Sequence, residues 1–195
     1  TTVEFAARQL VFDNGQRFPY DLFVAVPPHR APEVVIRAGL TNQAGWVSVN
    51  PQTLATNQPG IFAIGDITAI PIPGRWKPDV PLMLPKAGVF AHAQAEVVAQ
   101  RIAAEINGSP KASASTFCGD GYCMLEAGED LAGFAFGNFF AEPAPNVQLR
   151  KIGKVWHIGK VLFEQWWLAP VGVRRSFIGW IVKAAGRLYG IPIKL

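Results

Sequence analysis

Two cysteines are the residues of this chain best suited to redox or metal chemistry. Cys118 and Cys123 both lie in the stretch FCGDGYCMLEAG, with four residues between them, two of which are glycines. Such a pair can form a disulfide across a turn, or one thiol can act as a nucleophile beside a bystander. Structural zinc takes four ligands and no histidine lies near the pair, so we expect no metal site. Two small, buried apolar side chains on adjoining strands are the third alternative.

A second candidate site is the Gly65-Asp66 pair, which ends the stretch TLATNQPGIFAIGD. The apolar run Ile61–Ile64 predicts a buried strand, and ligands bind beyond the carboxyl ends of strands in open α/β sheets. A carboxylate at that position accepts hydrogen bonds from ligand hydroxyls, and the glycine permits close approach to the backbone. Gly-Asp is also common in turns that bind nothing, so the pair alone does not decide the function.

The elements that must position these residues begin with a predicted hairpin. Residues 3–26 read as strand, turn and strand, with Asp13-Asn14-Gly15 as the turn signal. Leu22–Val26 is apolar enough to predict a buried central strand, and Trp46–Val49 alternates as a half-buried strand does. The proline-rich residues 71–85 are predicted to be a loop.

The clearest helix lies in the middle of the chain. Its sequence is AGVFAHAQAEVVAQRIAAEING, and it is expected to end at Asn107-Gly108 with a glycine cap. Residues 109–115 have the composition of a linker. The runs Tyr122–Glu126 and Ala132–Phe140 then predict two strands.

The end of the chain is basic and amphipathic. Residues 150–195 contain nine Lys or Arg against Glu164, a net charge of +8, whereas residues 1–149 carry a net charge of −4. A helix here would have an apolar face made of Phe177, Ile178, Ile181, Val182, Ala185, Leu188 and Tyr189. Its other face would carry Arg175, Gly179, Lys183, Gly186 and Arg187. Charges interrupt every stretch long enough to span a bilayer, so we expect a helix in the membrane interface, flanked by tryptophans. Docking on the same protein or on a second subunit is the alternative, and the apolar character disfavours nucleic acid.

The stretch that ends at Gly65-Asp66 resembles the second FAD-binding motif of flavoproteins with two dinucleotide-binding domains. The resemblance implies that Asp66 contacts the ribityl chain of FAD. It also implies that Lys86, Ala87 and Gly88 pass near the flavin ring. Helix N-terminal amides and a lysine both favour negative charge, as on a reduced flavin.

The tail, GDGYCMLEAGEDLAGFAF followed by NVQLRKIGKVWHIGKVLFEQWWL, resembles the C-terminal part of sulfide:quinone oxidoreductases. By this resemblance Cys123 is the redox cysteine beside the flavin, and Lys160 lies near the flavin ring. Phe163, with Trp166, lines the quinone pocket. Glu126 is close enough in sequence to Cys123 to be a candidate proton acceptor.

The resemblance implies an α/β fold (α+β when isolated), with the distal part of the FAD-binding domain, a C-terminal strand pair and amphipathic helices. We expect residues 1–45 to form the end of the second nucleotide-binding domain and the crossover, and residues 46–110 to form the distal part of the FAD-binding domain. Residues 111–195 are expected to form the redox, quinone and membrane-interface region. No GxGxxG is present, so we expect the C-terminal half of a longer enzyme, which alone does not hold FAD tightly. The expected partners are the N-terminal half, quinone and the cytoplasmic side of a membrane, and exposed surfaces predict self-association.

Two other functions remain open from the sequence. A flavin-free module that docks on a membrane or a partner needs the same tail. An NAD(P)H-dependent flavoprotein reductase on the same scaffold shares the Gly65-Asp66 motif. Cys123 and the string from Lys160 to Glu164 favour the quinone-coupled sulfide branch.

Overall fold

The structure, a computed structural model, describes residues 1–109, 115–191 and 193. Its mixture of helices and strands confirms the α/β class. The chain divides into two compact units, Thr1–Arg30 and Ala31–Leu195. The expected linker falls largely on residues 110–114, which lie outside the described residues.

The first unit is a small antiparallel sheet. Strands β1 (Thr2–Glu4), β2 (Gln9–Val11) and β3 (Arg17–Pro19) lie in the order β1-β2-β3. The predicted hairpin turn is confirmed between β2 and β3, where Gly15 has a φ of +82°. Glycine adopts this left-handed conformation without strain, which explains the turn signal.

The predicted buried strand at Leu22–Val26 is wrong. These residues form no strand, and Leu22, Val24 and Val26 are each more than four-fifths exposed. A strand needs a neighbour to satisfy its backbone hydrogen bonds, and the described unit offers this segment none. An apolar run therefore indicates a segment that can be buried. Whether it is buried depends on a neighbouring element that packs against it.

The second unit begins with short elements. Helix α1 (Glu33–Arg37) is followed by strands β4 (Val47–Ser48) and β5 (Thr68–Ala69), which pair in parallel. The predicted strand at Ile61–Ile64 is wrong, because this segment has only an isolated bridge from Phe62 to Ala55. A single 3-10 turn, Gly65–Ile67, then leads directly into β5.

Residues 71–85 contain a hairpin where the sequence predicts a loop. Strands β6 (Pro71–Lys77) and β7 (Val80–Met83) pair antiparallel, with irregularities in the register. Both strands are edge strands of a two-stranded sheet. Proline lacks an N–H, and an edge strand tolerates it because one side needs no ladder hydrogen bonds.

The predicted central helix is confirmed as α2 (Gly88–Asn107), capped by Gly108 with a φ of +61°. Its buried face consists of Phe90, Gln94, Val97 and Ala104. Phe90 and Val97 join a hydrophobic core completed by Leu54, Ile70 and Phe117. The helix is thereby fixed against the segment that contains the Gly65-Asp66 turn.

A three-stranded antiparallel sheet follows the helix. Strands β8 (Asp120–Gly128) and β9 (Leu131–Asn138) confirm the predicted pair, with Cys123 opposite Ala135. Strand β10 (Asn146–Gly153) adds a third strand that the sequence analysis missed, giving the order β10-β9-β8. Its side chains are mostly exposed, so it lacks a run that reads as a buried strand.

Two helices end the described chain. Helix α3 (Lys154–Leu168) packs on β9, and α4 (Val173–Leu188) packs on α3. The predicted helix at the end is confirmed, but two of its glycines are not exposed: Gly179 and Gly186 are buried together with Val182. Gly186 allows close packing because it has no side chain, and a Cβ there would lie 2.9 Å from Ile193 Cγ1. Within the described residues, no helix combines the length and apolarity required to cross a bilayer.

Candidate active site

A cavity of about 500 Å³ lies where the start of α2, the sheet and α3 meet. Its walls are mainly apolar and include Tyr122 and Phe136. Most of the predicted site residues line it: Lys86, Ala87, Gly88, Cys123, Lys160 and Phe163. Gly65, Asp66 and Trp166 do not line it. The chain thus brings together residues separated by more than 70 positions.

Cys123 is contributed by β8 and has an exposed, free thiol. Cys118 precedes the strand, and its Sγ lies 3.1 Å from Asp120 Oδ2. Cys118 is also exposed and forms no disulfide, so neither the disulfide nor the buried pair described above is present. Only Cys123 lines the cavity. Of the alternatives for the two cysteines, one reactive thiol beside a bystander fits this arrangement.

Lys86 connects the start of α2 with the Gly65-Asp66 turn. Its ammonium donates hydrogen bonds to the backbone oxygens of Asp66 and Thr68 and lies 3.6 Å from the centre of the Trp46 ring. Burial lowers the pKa of Lys86, and the charge of Asp66 opposes that shift. The first N–H groups of α2, beginning at Gly88, have no partners within the helix, as at any helix start. This end of the cavity therefore favours negative charge.

Gln94 fixes the Gly65-Asp66 turn, a role that was not predicted from the sequence. The Gly65 N–H donates a 2.6 Å hydrogen bond to Gln94 Oε1, and Gln94 is 1% exposed. Gly65 has a φ of +71°, which favours glycine, and a Cβ there would lie 3.2 Å from Ala91 Cβ. Asp66 itself is exposed. In the sequence, the signal for this role is a glutamine on the face of α2 that is otherwise apolar.

Lys160 belongs to a network of ion pairs between side chains of α3 and β8. Its Nζ is 2.6 Å from Glu164 Oε1 and 3.2 Å from Glu126 Oε1. Hydrogen bonds to Glu164 and then Glu126 raise the pKa of Lys160, and the bond to Lys160 is the main cause that lowers the pKa of Glu126. His157 Nδ1 lies 3.3 Å from Glu126 Oε2, and His157 Nε2 lies 3.7 Å from Asp130 Oδ1. The predicted proton acceptor Glu126 is therefore bound to Lys160.

Phe163 and Trp166 belong to one aromatic cluster but have different positions. Phe163 lines the cavity, with its ring 5.7 Å from that of Tyr122 and 5.8 Å from that of Trp166. Trp166 is 6% exposed and packs behind Phe163, with the Arg175 guanidinium 4.6 Å from its ring centre. Burial raises the pKa of Tyr122 to about 12, so this phenol is neutral at ordinary pH. The aromatic wall is apolar and rigidly supported.

The similarity to known proteins agrees with this arrangement. The chain is 33% identical over 161 residues to the sulfide-quinone reductase of Aquifex aeolicus, a match that covers 81% of this chain and 36% of that protein. Its homologues are sulfide:quinone oxidoreductases. The mitochondrial sulfide:quinone oxidoreductases of Mus musculus and Schizosaccharomyces pombe are 41% and 37% identical over 54 and 75 residues, which are 12% and 16% of those proteins. No protein-family model matches the chain.

The resemblance to sulfide:quinone oxidoreductases, predicted from the tail, is thereby confirmed. The chain spans about a third of the length of the Aquifex reductase. For a relative of these oxidoreductases, the cavity combines three useful kinds of group: a free thiol, two lysines and an aromatic wall. A thiol can bond to sulfur, cations stabilise an anionic ring, and aromatic side chains bind flat apolar molecules.

Proposed function

We propose that this chain is part of an FAD-dependent oxidoreductase that passes electrons from sulfide, or a related donor, through flavin to a membrane quinone. The observation that carries the proposal is the cavity shared by Cys123, Lys160 and the Lys86–Gly88 segment. The similarity to proteins named for sulfide and quinone supports the choice of donor and acceptor.

The residues of the cavity fit a flavin ring. The wall contributed by Tyr122, Phe136 and Phe163 is apolar, as the faces of the ring require. Lys86 and the amides at the start of α2 suit an edge that becomes anionic on reduction. When bound, FAD supplies the ring through which the two electrons of sulfide oxidation reach the quinone. We assign contacts with the ribityl chain to Gly65 and Asp66, as the resemblance implies.

The residues of this chain then have distinct roles. Cys123 is the residue that carries the oxidised sulfur, because its thiol is free and lines the cavity. A bond between its sulfur and that of hydrosulfide would release one proton and two electrons, and FAD, when bound, would accept the electrons. Lys160 stays protonated at the cavity, because two carboxylates hold its ammonium. Phe163 forms the apolar wall on the side of the quinone, and Trp166 supports Phe163 from behind.

The last helix is proposed to hold the protein at the membrane surface. Phe177, Trp180 and Leu188 on α4 are each more than three-fifths exposed. Residues 165–191 contain four arginines or lysines and no acid. Exposed aromatic and aliphatic side chains among cations are typical of helices in the lipid interface. A peripheral position on the cytoplasmic side stays a prediction.

A flavin-free docking module is the second candidate. The specific observation in its favour is the exposure of Leu22, Val24 and Val26 in the first unit, an apolar strip suited to a protein partner or to self-association.

Flavin binding separates the two candidates. The chain is titrated with FAD, and the visible spectrum of the bound flavin is examined with excess FAD kept in solution. Sulfide-dependent bleaching is then followed without oxygen, and a soluble quinone is added last to restore the absorption. We expect Cys123→Ser to retain flavin and lose bleaching, whereas Cys118→Ser, the matched control, keeps both. Equal bleaching in the two variants would refute the role of Cys123. A chain that binds no flavin even with excess FAD in solution would favour the docking module.

A further inference from the structure

A groove of about 610 Å³ runs along α4 beside the end of α3, separate from the cavity that contains Cys123. It is lined by two cations, Arg175 and Lys183, together with Ser176, Gly179, Trp166 and Trp180. Nothing in the proposed redox chemistry uses the cations or the hydroxyl. The groove is therefore a candidate site for a second ligand.

The spacing of these residues leaves an opening between the two cations. Arg175, Gly179 and Lys183 follow one another at intervals of four, so they lie on one face of α4, with the two cations about 12 Å apart along the axis. Gly179, midway between them, has no side chain to fill the space. The two cationic residues therefore flank the space above the glycine, where an anion can lie between them.

Arg175 is already held in position on the groove wall. Its guanidinium stacks 4.6 Å from the ring centre of Trp166, and Nη1 donates to the Ala169 carbonyl oxygen at 3.4 Å. Neither contact neutralises its charge. Among the described residues, no carboxylate forms an ion pair with Arg175 or Lys183, in contrast to Lys160. The groove is consequently positive and suited to an anion.

The surroundings of the groove are those of a lipid interface. Trp180, on the groove wall, is 66% exposed, and its ring is stacked 6.4 Å from that of Phe177, which is 61% exposed. Such aromatic side chains prefer the level of the lipid headgroups. A ligand that meets both the cations and these rings has an anionic head and apolar chains.

We propose that this groove binds the phosphate of an anionic phospholipid, through Arg175, Lys183 and the Ser176 hydroxyl. Trp180 then lies among the first carbons of the acyl chains. This inference rests on the membrane position given under the proposed function. It adds a specific binding site, because the phosphate binds at one place on α4 and is not only attracted by the overall charge of the helix.

The test compares two double variants that remove the same charge from the same helix. Arg175→Gln/Lys183→Gln removes the cations of the groove. Arg174→Gln/Arg187→Gln removes two cations that do not line it, and Arg174 instead donates to Gln165 Oε1. Binding is measured by co-sedimentation with phosphatidylcholine vesicles, with and without phosphatidylglycerol. Inorganic phosphate is compared with chloride at equal ionic strength as a competitor.

If only general electrostatic attraction to the membrane is involved, each cation removed weakens binding about fivefold, so the two double variants lose the same amount. The groove predicts a further loss of about tenfold, seen only in Arg175→Gln/Lys183→Gln and only with phosphatidylglycerol, because charge-assisted hydrogen bonds to phosphate are lost. Since Arg175 also packs on Trp166, the single variants Lys183→Gln and Arg187→Gln repeat the comparison without disturbing that contact.

Each outcome is decisive. Equal losses in the matched variants overturn the groove and leave the membrane position intact. Stronger release by phosphate than by chloride, lost in Arg175→Gln/Lys183→Gln, supports a phosphate in the groove, whereas equal release by the two anions in the unchanged protein overturns the phosphate assignment. Absence of binding to either kind of vesicle overturns the membrane position itself, and the groove proposal with it.

Discussion

Gln94 is expected to be the residue on which the position of the Gly65-Asp66 turn depends. Gln94→Met keeps the length and volume of the side chain but removes the acceptor of the 2.6 Å hydrogen bond from the Gly65 N–H. That N–H is then left without a partner beside a residue that is 1% exposed. An unsatisfied buried donor costs about 1–3 kcal/mol. We expect a loss of that size in the free energy of unfolding.

Urea denaturation measures the global effect, and hydrogen exchange at the Gly65 amide measures the local one. Gln100→Met is the matched control, because Gln100 lies on the same helix and is exposed. Exposed substitutions of this kind change stability by only about 0.5 kcal/mol. If the two variants had the same stability, and Gly65 exchanged at the same rate in both, the inferred role of Gln94 would be wrong.

Three further substitutions test the site and its support. Glu126→Gln is expected to lower the pKa of Lys160, which NMR can observe. In the unchanged protein the bond to Lys160 holds the pKa of the Glu126 carboxyl below its ordinary value, so the pair stabilises the fold above that ordinary value and this stability is lost as the pH falls through the lowered pKa. The variant should therefore lose less stability over the same pH range. An unchanged pH profile would contradict this pairing. Phe134→Ala removes a side chain that is 2% exposed and should cost about 3–5 kcal/mol in urea denaturation; a cost near zero would place it outside the core. Gly121→Ala brings a Cβ to 2.3 Å from Phe90 Cε1 and should cost about 1–3 kcal/mol, whereas an unaltered melting temperature would show that Phe90 moves freely.

The elements that the sequence predicts correctly are those whose periodicity, caps and turns lie within their own residues. Helix α2 has helical periodicity and a glycine cap, and both are contained within its own residues. Strands β8 and β9 are adjacent in the chain, and a short turn at Glu129-Asp130 joins them. Such elements can be recognised without knowledge of the rest of the fold.

The errors concern segments whose state depends on distant partners. Leu22–Val26 and Ile61–Ile64 have strand-like composition, yet neither has a neighbour that completes a sheet in the described chain. The reverse error occurred at residues 71–85, where edge pairing tolerates prolines that usually mark loops. The predicted polar face of α4 was partly wrong, because hydropathy does not show that Gly179 and Gly186 are buried.

The candidate site was predictable only through the resemblance. Cys123, Lys86 and Lys160 have no common spacing, and the structure unites them because three separate elements meet at one cavity. The resemblance did not identify Gln94, nor the contact of Glu126 with His157, because both depend on tertiary packing. Polar residues at apolar positions are the signal that would have drawn attention to Gln94.

The two lysines of the cavity differ in a way that bears on their chemistry. Carboxylates on both sides raise the pKa of Lys160, so its charge is retained across the physiological range. Burial lowers the pKa of Lys86, whose ammonium is held by backbone oxygens and by the Trp46 ring, with the charge of Asp66 opposing the shift. A permanent charge on α3 and a more readily lost proton at the start of α2 thus face one cavity. In the proposed redox site, Lys160 therefore stays protonated but paired with two carboxylates, whereas the lowered pKa of Lys86 suits a group that exchanges a proton.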